Sequence, residues 1–406
     1  MTERWYETDS YTTDFDATVL SAEQADGVTK VVLNGTFFFP EEGGQSPDRG
    51  TLGGFPVTDV QIKDGVIIHT VACPTRVGET AADSMQAETA ACAIHVGETI
   101  HGTVDWDFRF KNMQMHSAEH IFSGLVFRLY GFANVGFHLS GNSATMDYNG
   151  VLTEEDATRL EMLANRAIIE NHPIRAWYPS EEELKTLSYR SKKALTGPIR
   201  LVEVQDVDLC ACCVPHVRST GEIGCMKILS RENYKGGVRL HYIGGFRAIE
   251  HYGAALKLIG DAGQRLSVKP DSIVSAIEKL ILDNKELNYR LVEAERATVA
   301  SKIRDTYSAA PSENFLLFLP GDGAILRYAT DTAEQYCTGT CALFAGDDER
   351  GYRYLLENPN GSVTELQALL KTELAARGGG TEHSVSGRVT ATEEDISTLL
   401  NRLGFR

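Results

Sequence analysis

The sequence predicts an α+β protein: a small N-terminal β-barrel, an α+β domain around a metal site, a helical or coiled-coil linker, and a C-terminal α/β domain. Three observations lead there. Short β-branched and aromatic runs, broken by Gly, Asp and Pro, dominate residues 1–105. Two pairs of metal-binding side chains, His116/His120 and Cys212/His216, each have four-residue spacing and stand about ninety residues apart. From Ile273 onward an apolar 3-4 repeat replaces the mixed pattern.

Composition bounds the class. At 406 residues and 42% hydrophobic content the chain has room for two or three ordinary globular domains. No apolar run approaches the ~20 residues of a membrane span, and MTERWYETDSY lacks a signal peptide's apolar core. A cytoplasmic protein without a membrane partner is expected. Of eight cysteines, four crowd into 210–225, which favours metal or redox chemistry in a reducing compartment over disulfide staples. A net charge of −17 opposes nonspecific nucleic-acid binding by the whole surface. Residues 185–257 are the exception, with twelve Lys or Arg against six Asp or Glu. There SYRSKK (188–193, with Lys192 and Lys193), Lys227, Arg231, Lys235 and Arg239 are the expected phosphate contacts.

Domain 1–105 reads as strands in TKVVLNGTFFF, GFPVTDVQIKDGVIIHTV and ETIHGTVDW, with KDG at 63–65 as a hairpin turn. Many short strands are expected to close or curl into a small barrel. PEEGGQSPDRG at 40–50 is a polar loop whose glycines permit close backbone approach to a ligand. Domain 106–252 opens with MQMHSAEHIFSGLVFRLY, an apolar-periodic helix that Gly131 should stop. NVGFHLSGNSATMDYNG reads as two strands. A helix over 153–172 is capped by Thr153, and a short one covers EEELKTL. IRLVEVQDVDLCAC reads as one alternating strand delivering Cys212, and RLHYIGGFRAIEHY as a further strand or strand pair. In 253–310 the a/d series Ile273, Ile277, Leu280, Asn284, Leu287, Leu291, Ala294, Thr298 predicts a helix. That helix pairs with a second copy through 271–305, as a homodimer, or with a helix of its own chain. Domain 311–406 reads as strands NFLLFLP, CALFAGD and YRYLLEN, a helix TELQALLKTELAAR running into Gly378–Gly380, and a final helix.

His116 and His120 at i and i+4 share a helix face, so they can bind one ion together. With Cys212 and His216 they make a nitrogen and sulfur donor set suited to tetrahedral zinc. By spacing alone Cys210 or Cys213 could replace Cys212.

HSAEH, CxxxHV and STGEIG, together with TFFFPEEGGQSPDRGTL (36–52), VDWDFRFKNMQMHSAEH (104–120) and VGFHLSGNSATMD (135–147), resemble the editing module of alanyl-tRNA synthetase and of the free-standing alanyl-tRNA editing proteins. The match, to the AlaX family in its long form, covers about residues 5–250. It implies one zinc per chain, held by His116, His120, Cys212 and His216. It implies hydrolysis in trans of mischarged tRNA(Ala), chiefly Ser-tRNA(Ala), with Gly-tRNA(Ala) as the other candidate substrate. Glu119 and His138 would join His116 and His120 at the catalytic centre, and Thr36, Gly43, Gly44 and Gln45 would read the amino acid. Aminoacylated tRNA(Ala) would be the partner, with Lys192, Lys193, Arg231 and Lys235 on its phosphates. AARGGGTEHSVSGRV resembles the DHHA1-type C-terminal domain, which adds Gly378, Gly379 and Gly380 as tRNA contacts. The barrel begins almost at residue 1, so no synthetase aminoacylation domain is expected.

The chemistry is consistent. An ester needs a positioned hydroxide and oxyanion stabilisation, not a nucleophilic Ser or Cys. A synthetase pocket for alanine cannot exclude glycine by size and rejects serine only modestly, so a second, hydrolytic site supplies the selectivity. Two rivals stand beside this: a tRNA- or partner-binding protein with a structural zinc, and a zinc peptidase in which HSAEH is HxxEH and Glu119 the base. The chain departs from the family at CCVP, where glycines are usual, at Glu119, where synthetases tend to carry Thr, and at EEGG, one glycine short.

Overall fold

Alternating apolar residues give the first hundred positions their strands. The computed structural model describes residues 1–25, 28–72, 94–191, 197–307, 313–321 and 323–405; the expected phosphate contacts Lys192 and Lys193, and Cys73 and Cys92, lie outside them. The strands are β1 (Glu3–Arg4), β2 (Asp14–Ala25), β3 (Val28–Leu33), β4 (Gly35–Thr36), β5 (Gly50–Leu52), β6 (Phe55–Lys63), β7 (Val66–Ala72) and β8 (Thr99–Val104). Pairing runs β2-β3-β7-β6-β5-β8 and returns to β2, so these six strands form a closed ring. β1 and β4 pair in parallel outside that ring. Asp64 and Gly65 turn β6 into β7 with φ of 51° and 77°, the positive angles a two-residue hairpin demands. Val31, Leu33, Phe38, Leu52, Val60, Ile67 and Val71 fill the interior.

The rest of the first compact unit, Met1–Ile259, is organised on one helix. This is α1 (Trp106–Tyr130), capped by the Asp105 carboxylate at Phe108 N (3.1 Å) and ended by Gly131 at φ 70°. It starts seven residues before the apolar periodicity suggests, because its first turns carry Arg109 inward. Around it lie β9 (Asn134–Ser140), β10 (Ser143–Tyr148), α2 (Glu154–Ile169), β11 (Ile174–Trp177), α3 (Glu181–Thr186), β12 (Leu201–Val204), β13 (Asp208–Ala211), β14 (Met226–Tyr234), β15 (Gly237–Gly244) and α4 (Phe246–Leu266). The antiparallel sheet β14-β15-β10-β9 and the smaller β11-β12-β13 sheet supply its neighbours. The expected single strand before Cys212 is instead a hairpin, β12 and β13, reversing near Asp206 at φ 62°. RLHYIGGFRAIEHY likewise divides into the end of β15 and the start of α4.

α1 is buried all round from Asn112 to Val126, polar residues included. Its inward polar groups bond to the elements around it. Gln114 donates to Glu222 O (2.9 Å) and accepts from Phe246 N (3.0 Å). Asn112 accepts from Arg247 (2.8 Å), and Ser117 accepts from Val217 N (3.2 Å). Gly124 is required by close approach: a Cβ there would lie 2.8 Å from Val207 O and from Asp208 Cβ.

The second unit, Gly260–Arg406, holds the end of α4, all of α5 and its own sheet. Its elements are α5 (Ile273–Tyr307), β16 (Phe315–Leu319), α6 (Leu326–Ala333), β17 (Cys341–Asp347), β18 (Gly351–Glu357), α7 (Thr364–Leu374), β19 (Arg377–Gly380), β20 (Ser384–Val389) and α8 (Glu393–Asn401). Strand order is β16-β17-β18-β20-β19, parallel only between β16 and β17. Gly378–Gly380, expected as a turn after a helix, lie in β19. On α5 only the last turns are buried, at Val299, Ile303 and Tyr307, whereas the a/d residues Leu280, Leu287 and Leu291 remain 54–62% exposed. Among the described residues no helix is long and apolar enough to cross a membrane.

His69 stands inside the barrel. Its Nδ1 lies 3.1 Å from Val31 O and must donate to it, so Nε2 accepts from the Thr36 hydroxyl at 2.9 Å. Burial presses its pKa from 6.5 to about 4, against an opposing pull from that carbonyl. The folded value lies below the unfolded one, so the unfolded chain binds the extra proton between these two pH values. Stability present above pH ~6.5 is therefore lost as pH falls toward ~4, by about 3 kcal/mol for this one group. Urea titrations are expected to show this acid sensitivity in the wild type and a shallower pH dependence in His69→Gln.

Candidate functional site

Four side chains converge from two elements. His116 and His120 project from one face of α1, and Cys212 and His216 come from the turn after β13. Ligand atoms of all four lie within 4.8 Å of one another. Cys212 Sγ is 3.4 Å from His116 Nε2, and the His216 ring centroid is 4.7 Å from that of His120 and 5.1 Å from that of His116. The turn is held rigidly. Arg200 donates to Cys212 O (3.0 Å) and Val214 O (3.2 Å), Ser117 receives Val217 N, and Ser10 donates to His216 O (3.2 Å). His216 is buried with neither ring nitrogen hydrogen-bonded, and His116 Nδ1 is also unpartnered. Buried polar atoms left open side by side in this way mark a ligand site.

Electrostatics point the same way. Burial by itself would raise the Cys212 thiol, but the charges of His116 and His216 and hydrogen bonds from His116 and His120 outweigh it and hold the thiol well below its ordinary range. Burial lowers His116, and takes His216 down to about 3. His120 runs the other way, to about 9: burial opposes its charge, but the Asp208 hydrogen bond and the Cys212 thiolate prevail. Thiolate and neutral imidazole are the forms that bind a metal.

Asp208 sits behind His120. Its Oδ2 is 3.0 Å from His120 Nδ1, and Arg190 grips both of its oxygens at 2.7 Å. His120, Asp208 and Cys210 also cluster within ligand distance, but the carboxylate is already fully engaged and burial pushes the Cys210 thiol up. The arrangement orients His120 with Nε2 toward the Cys212 cluster.

A cavity of about 520 Å³ meets the cluster, lined by His116, His120, Cys212, Gly43, Gly44, Gly136 and Phe137. Gly44, at φ 81°, admits no side chain, because a Cβ would lie 2.1 Å from Phe137 O. Leu139 N donates to Gly44 O at 2.7 Å, fastening the loop to β9. Arg200, Arg4 and Tyr178 also line the cavity; Glu7 links the last two, accepting from Arg4 (3.2 Å) and from the Tyr178 hydroxyl (2.7 Å).

Several expected residues stand elsewhere. Cys210 and Cys213 do not join the three histidines; Cys212 does. Glu119 turns into the helix–sheet interface, where one oxygen accepts from Ser123 and Asn134, each at 2.6 Å, so it does not line the cavity. That geometry leaves HSAEH without the free base a peptidase needs. His138 is exposed and alternates away from Phe137 along β9. Thr36 lines the barrel interior, not the cavity, with its hydroxyl on His69. Gln45 is fully buried in the glycine loop, both amide atoms unpartnered. Most of the basic segment is internally paired: Arg190 with Asp208, Lys227 with Glu161, Arg239 with Asp147, and Arg231 with Leu152 O. Lys235 is exposed at the β14–β15 turn. Asp208 and Arg200 were missed by sequence reasoning, and Arg190, expected within SYRSKK as a phosphate contact, instead pairs with Asp208; the one signal was an acid two residues before Cys210.

Similarity to known proteins runs through the same residues. Positions 199–241, which include Cys212 and His216, match the threonyl and alanyl tRNA synthetase second additional domain. The alanyl-tRNA editing protein AlaX-L of Pyrococcus horikoshii is 27% identical over 98% of this chain and 96% of its own length. The chain resembles alanyl-tRNA editing proteins along nearly its whole length. The editing protein Aarsd1 of Danio rerio matches likewise, at 23% identity over 98% of this chain and 97% of its own. The alanine–tRNA ligase of Archaeoglobus fulgidus is 32% identical over 70% of this chain, but the match takes up only 30% of the ligase.

Asp208→Asn should leave the fold intact while loosening His120. Metal retention, read by chelator competition with zinc as the probe, is expected to weaken about 10- to 100-fold. Unchanged retention would show that Asp208 does not position His120.

Proposed function

We propose that this chain deacylates mischarged tRNA(Ala), chiefly Ser-tRNA(Ala) with Gly-tRNA(Ala) as a second substrate, at a zinc site formed by His116, His120, Cys212 and His216. One observation carries this: four nitrogen and sulfur donors, two of them on histidines with unpartnered buried nitrogens, meet at a cavity in a chain similar to alanyl-tRNA editing proteins. Three imidazoles and a thiolate suit zinc better than the harder cations.

Zinc, when bound, would supply Lewis acidity and lower the pKa of a water to ~7. The protein's own groups do the rest. Asp208 and Arg190 orient His120, and Arg200 holds the Cys212 turn. Gly43 and Gly44 bring bare backbone to the cavity, where an aminoacyl group can lie close. Phe137, edge-on to His116 at 4.6 Å, forms an apolar wall of the cavity beside the cluster. Gln45, buried in the same loop behind Gly44 and not itself lining the cavity, has an unpartnered amide, and we assign it to the serine hydroxyl. The Thr36 hydroxyl is occupied by His69 and by Phe38 N. Arg4 and Arg200 bring positive charge to the cavity for the phosphate on the 5′ side of the terminal nucleotide, and the half-exposed ring of Tyr178 offers a face for the terminal base.

Four closed donors also describe a structural metal, so the test must separate the two roles. Ser-tRNA(Ala), Gly-tRNA(Ala) and Ala-tRNA(Ala) are offered to the wild type, Cys212→Ala and Gln45→Ala, with zinc content measured in parallel. Wild-type protein should release serine and spare alanine. Cys212→Ala should lose metal and fall to the spontaneous rate, whereas Gln45→Ala should keep its zinc and lose discrimination. A zinc-replete protein that binds tRNA without hydrolysis would establish the binding role instead.

The exposed apolar row of α5 is assigned to a second copy of the chain. Light scattering should give twice the chain mass, and Leu287→Asp should reduce it to one.

A further inference from the structure

The cavity beside the cysteine–histidine cluster has one acid that the site described above does not use. Glu42 is the only carboxylate among the described residues that line it, and it faces the same space as Arg4 and Arg200. It is also the residue that leaves EEGG one glycine short of the family pattern. The glycine loop fixes its backbone, since Gln45 N donates to Glu42 O at 3.1 Å. That loop packs directly on the Cys212 turn: a Cβ at Gly43 would lie 3.0 Å from Val214 Cγ2 and 3.9 Å from Cys213 Sγ. The Glu42 carboxylate is within hydrogen-bond reach of the Cys213 thiol, one residue past Cys212. Its Oε2 is nevertheless buried and accepts no hydrogen bond. No ion pair joins Glu42 to any of the described residues. Arg4 is taken by Glu7 at 3.2 Å, and Arg200 holds the Cys212 and Val214 carbonyls.

A buried carboxylate oxygen costs free energy until a donor reaches it, and a thiol is a weak donor. The group that completes this site must therefore be a donor, and a cation serves best. It must also be small enough to lie beside the bare backbone of Gly43 and Gly44. An aminoacyl ester carries such a group in its α-amine, which ionises near pH ~8 and is largely ammonium at neutral pH. Without Glu42 that ammonium would meet two arginines and a bound metal ion, all of its own sign. One carbon separates the α-amine from the ester carbonyl, so a carboxylate that holds the amine also restricts where the carbonyl can lie. Serine, glycine and alanine share the amine, so Glu42 cannot tell them apart. It can tell a free amine from an acylated one, which has lost its charge and two of its three donors.

We propose that Glu42 Oε2 receives the α-ammonium of the aminoacyl group, so that the cavity takes esters with a free amine and discriminates against N-acylated ones, the chemistry of a peptidyl-tRNA end. This rests on the editing reading proposed above.

The test uses the zinc-loaded full chain and calorimetric titration with two probes that cannot be hydrolysed. One is adenosine carrying serine on its 3′ carbon through an amide; the other is the same molecule with hydrogen in place of the α-amine. Wild type should bind the amine-bearing probe about 10- to 100-fold more tightly. Glu42→Gln should keep its zinc and melting temperature and bind the two probes about equally. Equal affinities in wild type overturn the proposal, as does a preference that Glu42→Gln retains in full, or a zinc-replete protein that binds neither probe. Deacylation of Ser-tRNA(Ala) is followed in parallel. Hydrolysis without an amine preference removes Glu42 from this role and leaves editing standing. An amine preference that Glu42→Gln loses, in a protein that hydrolyses no aminoacyl-tRNA, supports Glu42 and defeats only the editing function.

Discussion

The first unit depends on one buried ion pair. Arg109, near the start of α1, and Asp48, at the end of the glycine loop, are both fully buried. Arg109 Nε lies 2.9 Å from each Asp48 oxygen, its other nitrogens donate to Ser10 O (2.9 Å) and Phe37 O (2.5 Å), and Phe39 N donates to Asp48 (2.6 Å). The pair therefore ties the helix bearing His116 and His120 to the barrel loop bearing Gly43, Gly44 and Gln45. A buried pair gains little over a well-packed apolar one, and removing one partner costs about 3–5 kcal/mol because a bare charge remains. Its value here is geometric: only one placement of α1 satisfies every donor of Arg109.

From that placement the rest follows. A helix buried on every side ordinarily carries apolar residues all round. α1 instead carries Asn112, Gln114, Ser117, Glu119 and Ser123 inside, each bonded to a residue of another element. These bonds set the rotation and height of the helix, so the two histidines arrive where the Cys212 turn ends. The turn is constrained from its own side by Arg200 and Ser10. Two rigid bodies thus present four donors, and the imidazoles around Cys212 favour its deprotonated form.

Local signals were legible where structure is local. The KDG hairpin, the Gly131 stop and the Thr153 capping box, in which Thr153 N donates to Asp156 at 2.9 Å, depend on residues within one turn of each other. The His116/His120 pair is of this kind. The reversal at Asp206 was not legible, because an Asp in positive φ leaves the apolar alternation of Leu201–Val204 and Asp208–Ala211 in step and the two strands read as one. The SYRSKK run looked like solvent-facing charge, yet Arg190 is drawn inside by Asp208. Charge counting cannot see that partner. Nor could Gly378–Gly380 be told from a helix stop, since strand pairing with β20 decides their conformation.

Spacing and motif order along the chain suffice for the α+β class, the helix that bears HxxxH, the CxxxH turn and the resemblance to editing proteins, because all of these are short-range features. Tertiary structure alone decided which cysteine joins the histidines, that Glu119 faces the sheet and not the cavity, that Asp208 backs His120, and that Glu42 lines the cavity with an unpartnered oxygen. Each of these depends on pairings between residues tens of positions apart. Such pairings follow from packing and strand register, and no local pattern encodes them.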